Sequence, residues 1–396
     1  MPWLPDSLEI EEKMLTKNKI LIFSDWYEPG FKAGGPIQSC KNTVNAMVEE
    51  YDIWIFTSDR DLGDLEPYEN INTDTWMKLS NGAHIWYASP EFLKSSNIRK
   101  LIMQVQPETI YLNSMFSSYF SLLPLWILRS LLFQGRIILA PRGMLNTSAV
   151  SRKKWKKKIF LSIFSLTRIS KKIIFHATCT QEAEDIKKYF GNEAQVIQIE
   201  EIPNIYRKWN PRNKQLSQLN CVFISRIHPI KNLLYAINAV KSIEGCSILF
   251  DIYGPVEDEK YFQRCKESAS EANDQIHINF KGPIVNSKIF NLLQNYHVFI
   301  LPTQGENFGH IIFEALTSGC VLLISNKTPW KGIEDNNAGW ALPLTDKRLF
   351  EDKLNHLCGM NEQEFNEKSK AAYEYSQTYV SSMNLQNRYI TLFKTA

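Results

Sequence analysis

The sequence predicts an α/β protein built from two Rossmann-like, doubly wound domains that face a central cleft. Three observations carry this. The chain has 396 residues, and about 100–200 residues per domain favours two domains. Short apolar segments rich in β-branched and aromatic residues alternate with helix-length segments, the pattern of parallel strands joined by crossover helices. That alternation runs twice, with a polar break over residues 204–220.

In the first run, residues 19–24 read as an apolar strand. A glycine-containing loop follows, then a helix opening near Pro36, a residue suited to a first turn. Further strands are expected at 52–57, 83–87, 109–112, 136–140 and 172–176. Segment 115–133 is apolar but holds Pro124, Arg129 and several serines. A membrane span needs about 20 apolar residues, so this segment is expected to be a buried or interfacial helix. Residues 204–220, rich in Pro, Asn and Gln, read as a linker. The second run places strands at 221–225, 246–253, 276–280, 297–301 and 321–324. Ligands of such sheets bind beyond the carboxyl ends of the strands, so a pair of them puts the site in the cleft.

Composition narrows the function. Lys and Arg number 45 against 42 Asp and Glu, a net charge of +3, so the whole chain is no polyanion binder. Seven cysteines, an odd number with no C-x-x-C pair, argue against a disulfide framework and for a reducing compartment. Residues 1–17 lack the apolar core of a secretory signal and carry Glu9, Glu11 and Glu12.

Two loops carry candidate chemistry. In the first, Arg226 and Lys231 lie just past the carboxyl end of the 221–225 strand. Two cations there suit a diphosphate, since Arg forks two oxygens and Lys supplies a point charge; a pair of solvated loop cations is the bland alternative. In the second, a strand ends near Leu301, a polar loop holds Glu306, and a helix starts close to Gly309. The first turn of a helix offers unpaired N–H groups, a ready anion site. Glu306 and Glu314, eight residues apart, flank that site, and each suits a sugar hydroxyl.

These residues carry a resemblance. Glu306, Asn307, Phe308 and Gly309, followed by Glu314 and Gly319, resemble the E-x7-E signature of retaining glycosyltransferases of family 4, which have the GT-B fold. Ser225-Arg226 and Lys231-Asn232 resemble that family's phosphate-binding loop, and 251–255 and 280–284 resemble its intervening strand ends. Segments 328–332 and 337–340 resemble a bacterial capsule and exopolysaccharide branch. Ala33-Gly34-Gly35-Pro36 sits where the family has its glycine loop. The resemblance spans about residues 19–396, more loosely in the first half.

The resemblance implies a nucleotide-sugar donor, linked to UDP or GDP, held by the second domain. Glu314 would bind the ribose and Glu306 the sugar, with Asn307, Phe308 and Gly309 around them. Arg226 and Lys231 would neutralise the diphosphate, and backbone near Ile284 would meet the base. A glycan acceptor, free or linked to a polyprenyl diphosphate, would lie near Gly34 and Gly35. The anomeric configuration would be retained, with no cofactor and no metal. The implied organisation is an N-terminal extension over 1–17, an acceptor domain over 18–204, a donor domain over 205–376, and a C-terminal helix over 377–396 crossing back to the first domain. Arg142 stands where many relatives carry a His. It stays protonated and cannot act as a base, so it either binds a substrate phosphate or holds its loop. The sole D-x-D, Asp59 to Asp61, is expected in a surface loop.

Charge is uneven. Residues 109–181 hold twelve Lys and Arg and no acid. Within them Trp155, Ile159, Phe160, Ile163 and Phe164 recur at helical spacing among five lysines. Such a helix over 152–172 fits an anionic membrane surface or a polyprenyl-diphosphate acceptor, or a solvated helix with an ordinary apolar stripe. No nucleic-acid module surrounds it. The expected place is the cytoplasm, at the inner face of the cell membrane. Two competing readings are a sugar-nucleotide epimerase of the same fold and a non-catalytic nucleotide-sugar-binding subunit.

Overall fold

The computed structural model describes residues 17–145, 172–204 and 208–394. The basic segment from Arg152 to Lys171 and nearly all of the N-terminal extension lie outside the described residues.

The first domain contains β1 (Lys19–Phe23), α1 (Gly35–Met47), β2 (Asp52–Ser58), β3 (Trp76–Lys78), β4 (His84–Ala88), α2 (Ser95–Val105), β5 (Thr109–Leu112), α3 (Leu123–Ser130), β6 (Arg136–Leu139), β7 (Ile173–Ala177), α4 (Thr180–Phe190) and β8 (Gln195–Gln198). Its strands lie in the order β3-β4-β2-β1-β5-β6-β7-β8. All pair in parallel except β3, which runs antiparallel to β4. The six expected strands are present. The two unexpected ones, β3 and β8, are the edges of the sheet, short and only partly buried, so they leave no continuous apolar run to read.

The second domain contains β9 (Gln218–Ile224), α5 (Leu233–Lys241), β10 (Ser247–Tyr253), α6 (Glu259–Ala269), β11 (Ile276–Gly282), α7 (Asn286–Leu293), β12 (Val298–Leu301), α8 (His310–Thr317), β13 (Val321–Ser325), β14 (Gly339–Leu342), α9 (Arg348–Cys358), α10 (Glu362–Met383) and α11 (Leu385–Phe393). The sheet order is β11-β10-β9-β12-β13-β14. Strands β12 and β13 are buried at every residue, as strands covered on both faces require.

The last helix belongs to the other domain's core. Tyr389 and Phe393 of α11 pack with Ile20, Tyr51 and Ile53. Tyr51 donates to the Ile390 carbonyl at 2.9 Å and Arg136 to the Lys394 carbonyl at 2.8 Å. The chain thus crosses back, through two helices that meet at Asn384, a residue with φ of 44°.

Two expectations are corrected and one is refined. Residues 208–217 form no helix or strand and are mostly exposed, as a linker is, but the segment is pinned to the second domain. Arg212 is buried there and donates to the carbonyls of Leu293, Ser318 and Gly319 and to Ser369. Leu293 ends α7 and Ser318 caps α8, so the guanidinium sits where helix dipoles favour a cation. Cys246 and Cys358 are disulfide-bonded, a pairing the odd cysteine count concealed because five others are free. The D-x-D pair is buried, not superficial: Asp59 and Asp61 are 2% and 4% exposed. Segment 115–133 is an irregular turn over 118–122 followed by α3, with Pro124, Leu125, Ile127 and Leu128 buried. No helix of the described residues is long and apolar enough to cross a membrane.

Candidate active site

In each sheet the strand order reverses at one place, between β1 and β5 in the first and between β9 and β12 in the second. Loops leaving neighbouring strands there diverge to opposite faces and open a crevice. The two crevices face each other across a cleft of about 360 Å³. Glu306, Arg226, Lys231, Gly34, Gly35, Arg142, Ile284, Asn307, Phe308, Gly309 and Glu314 all line it.

The first wall is the loop between β1 and α1. Gly34 has φ of 66° and precedes α1, with no heavy atom within 4 Å of the place a Cβ would take. The glycine therefore meets a backbone requirement, and its face toward the cleft stays open. Asp61 shapes this loop. Its Oδ2 accepts from the backbone of Phe31 at 2.7 Å and of Lys32 at 2.9 Å. A buried carboxylate holding two amides is an anchor for the glycine loop, which explains why the D-x-D turns inward. Its partner Asp59 is taken by Arg60 at 2.7 Å.

The opposite wall carries the cations and the helix start. Lys231 pairs with Glu306, both mostly buried. Arg226, more exposed, pairs with Glu257 at 2.5 Å. Gly309 caps α8 with φ of 75°. That backbone conformation is one L side chains rarely adopt, so glycine suits the turn that aims the helix start at the cleft. The Phe308 ring points into the core, against Trp330 at 5.2 Å and Phe313 at 6.3 Å. Trp330 also donates to the Phe308 carbonyl at 2.5 Å. Phe308 thus contributes to the site by fixing the loop and through its backbone. Asn307 reaches across to Thr178 of the first domain at 3.5 Å.

Glu314 lies deeper. Its Oε1 accepts from Asn286 at 3.2 Å and Asn204 at 3.5 Å. Burial pushes its carboxyl upward, and the Asn286 bond works against that. Ile284 is half-buried at the cleft's edge.

Between the walls runs a chain centred on Arg142, whose partners Asn113, Tyr111, Glu201 and His310 the sequence did not single out. Arg142, at φ of 54°, donates from Nε to Asn113 at 2.6 Å, from one terminal nitrogen to Glu201 at 2.8 Å and from the other to Tyr111 at 2.8 Å. Glu201 in turn lies against Nε2 of His310, the first residue of α8. Burial alone would raise the Glu201 carboxyl, but Arg142 and His310 override it and hold it down at about 2. Each of the guanidinium's three nitrogens thus has a partner within the protein, which gives Arg142 a place in the loop's architecture as well as in the cleft's lining. His310 directly follows the Glu306–Gly309 loop and was the only available hint; Glu201, remote in sequence, gave none.

Comparison with known proteins follows this geometry. Residues 207–377 match the family described as glycosyl transferases group 1. A Klebsiella pneumoniae protein described as an uncharacterized 41.2 kDa protein in the cps region is 22% identical over 253 residues, 61% of this chain and 67% of the relative. Among solved structures, a sucrose-phosphate synthase from Thermosynechococcus elongatus superimposes with a TM-score of 0.69 at 14% identity, covering 95% of this chain and 99% of that one. WaaG, a glycosyltransferase of lipopolysaccharide biosynthesis, gives 0.64 at 11% identity over 96% of this chain and 100% of its own. HepE from Anabaena, solved with UDP-glucose, gives 0.66 at 13% identity over 94% and 99%. The chain has the GT-B fold.

Proposed function

We propose that this chain is a retaining glycosyltransferase that moves a hexosyl group from a UDP- or GDP-linked sugar to a glycan acceptor, lipid-linked, in bacterial surface polysaccharide synthesis. The observation that carries this reading is the grouping of Lys231, Glu306 and the start of α8 in one cleft, with buried Glu314 behind them. The group 1 match covers that half of the chain, and the Klebsiella relative comes from a cps region.

On this reading the donor's diphosphate lies over the α8 start. The bond from the anomeric carbon to the diphosphate oxygen breaks, and the acceptor oxygen bonds to that carbon on the same face. The acceptor's proton passes to a donor phosphate oxygen. Charge growing on the departing diphosphate meets Lys231, Arg226 and the helix N–H groups, fixed before the reaction. These cations fill the role a divalent ion plays elsewhere, so none is required. Glu314 receives the ribose hydroxyls: its two amide donors share Oε1, which leaves Oε2 as the acceptor. Glu306 receives a hydroxyl of the transferred sugar. The basic segment 152–172 draws the protein to the anionic inner face of the membrane, where the acceptor resides.

The test is turnover of a panel of UDP- and GDP-hexoses, with nucleoside diphosphate release measured and the product's anomeric configuration read by NMR. Retained configuration supports the proposal. An epimerised nucleotide sugar formed from donor alone, or no turnover of any donor, overturns it.

A further inference from the structure

His310 is the first residue of the helix assigned to the donor, yet its side chain reaches the acceptor domain. Its Nε2 lies against Glu201. Its Cδ2 lies 3.9 Å from where a Cβ on Gly35 would sit. Its ring also meets Phe308 edge-on at 4.9 Å. Glu201 is fixed to the first sheet: the Ile199 amide donates to Ala177 at 2.9 Å, and the Ile199 carbonyl meets His176 Nε2 at 2.9 Å. Arg142 then holds the carboxylate's other oxygen at 2.8 Å. Side-chain exposure at His310, Glu201 and Arg142 is 7%, 8% and 4%. His310 Nε2 approaches Glu201 without a hydrogen bond of good geometry, so the imidazole is held by close packing on the carboxylate, and removing a member of such a buried polar chain loosens its neighbours.

We infer that His310 is a positioning residue for glycosyl transfer. Gripped by Glu201, it fixes the start of α8 against the Gly34–Gly35 loop, so that the donor diphosphate and the acceptor-side loop share one geometry. This rests on the proposed transferase reading. Its consequence is specific. Nucleotide binding uses Lys231, Arg226, Glu314 and the backbone of α8, all within the second domain, and none of those side chains touches Glu201. The rate of bond cleavage depends on alignment across the cleft, where small displacements of reacting groups lower the rate steeply.

The experiment compares wild type with His310→Gln, Glu201→Gln and the double variant. Titration calorimetry with UDP and GDP gives nucleotide affinity. Release of nucleoside diphosphate from the hexose donors that wild type turns over gives kcat and KM. The expected result is nucleotide affinity within about threefold of wild type and kcat lower by about tenfold in each single variant. The double variant is then no slower than the slower single one, the non-additivity of residues acting as a unit. Loss of nucleotide affinity in parallel with kcat, additive losses, or an unchanged kcat overturns the assignment. If Glu201→Gln does not fold, judged by its melting transition, Glu201→Asp replaces it. That variant withdraws the carboxylate by one methylene and is expected to lower kcat in the same way. A wild type that turns over no donor overturns the transferase reading itself; a working wild type with an equally fast His310→Gln overturns only the role of His310.

Discussion

On the proposed reading, replacing Glu306 with Gln separates sugar positioning from nucleotide binding. The substitution keeps the side chain's length and one carbonyl oxygen, so Lys231 still meets an acceptor, now a neutral one. It removes one negative charge from a cleft that also holds Arg226 and the α8 start. A diphosphate therefore meets a more positive site, and affinity for free UDP or GDP stays within about threefold or tightens. Transfer behaves differently. A hydrogen bond to a charged group contributes about 1.5–3 kcal/mol, and about 1.4 kcal/mol is tenfold in rate. The expected fall in kcat is thus about 10- to 150-fold. Calorimetry gives the affinity and nucleoside diphosphate release gives the rate. If affinity and rate fall by the same factor, Glu306 is a nucleotide ligand or a structural ion-pair partner, and its assignment to the sugar is wrong.

Three further outcomes are expected. Transfer survives excess EDTA, because Lys231, Arg226 and the α8 start meet the leaving charge; loss of activity restored by Mg²⁺ or Mn²⁺ overturns this. Replacing Lys153, Lys154, Lys156, Lys157 and Lys158 with Gln abolishes weak, salt-sensitive binding to anionic vesicles, since each such charge near the surface contributes about 1 kcal/mol; co-sedimentation of wild type that ignores anionic lipid refutes it. Stability falls on acidification below about pH 6.5, because burial, aided by Arg142, pushes His176 down to about 3, and burial pushes His297 down to about 4. Both stay neutral in the folded chain while the unfolded chain takes up protons, so the stabilisation present above the unfolded value is lost toward the folded ones, at up to about 1.4 kcal/mol per pH unit for each. A urea midpoint that is equal at pH 7.5 and 5.5, or a fall that His297→Gln does not reduce, contradicts this.

The central strands were legible because a parallel strand covered on both faces must be apolar throughout, as β12 and β13 are. The Glu306 wall of the cleft was legible in part. A strand end, a loop and a helix start put Glu306 and Glu314 in one stretch of sequence, and the pairing of β9 with β12 brings the loop that carries Arg226 and Lys231 beside them. What stayed hidden depends on contacts between distant segments. Asp61 reads as a surface acid until its carboxylate is seen under the Phe31 and Lys32 amides. Arg212 reads as a linker residue until the ends of α7 and α8 close around it. Glu201 and His310 become neighbours only when the two domains meet. No periodicity or motif encodes such pairs, because each partner alone is an ordinary polar residue.

The pairing of charges in the cleft bears on how a donor is admitted. Lys231 pairs with Glu306, and Arg142 with Glu201, both pairs mostly buried, while the pair of Arg226 with Glu257 lies nearer the solvent. An unpaired charge at the enclosed places is costly, whereas a satisfied pair is tolerated. On the proposed reading, the arriving diphosphate carries enough charge to take Lys231 without leaving it unbalanced. Glu306 then ceases to be the lysine's sole counter-ion and becomes an acceptor for a sugar hydroxyl. Glu201 does not make the same exchange, because Arg142 donates to one of its oxygens and His310 packs against the other. One carboxylate in the cleft is therefore released by the donor while the other stays locked. The first follows the substrate, and the second keeps the two domains in the register that the chemistry needs.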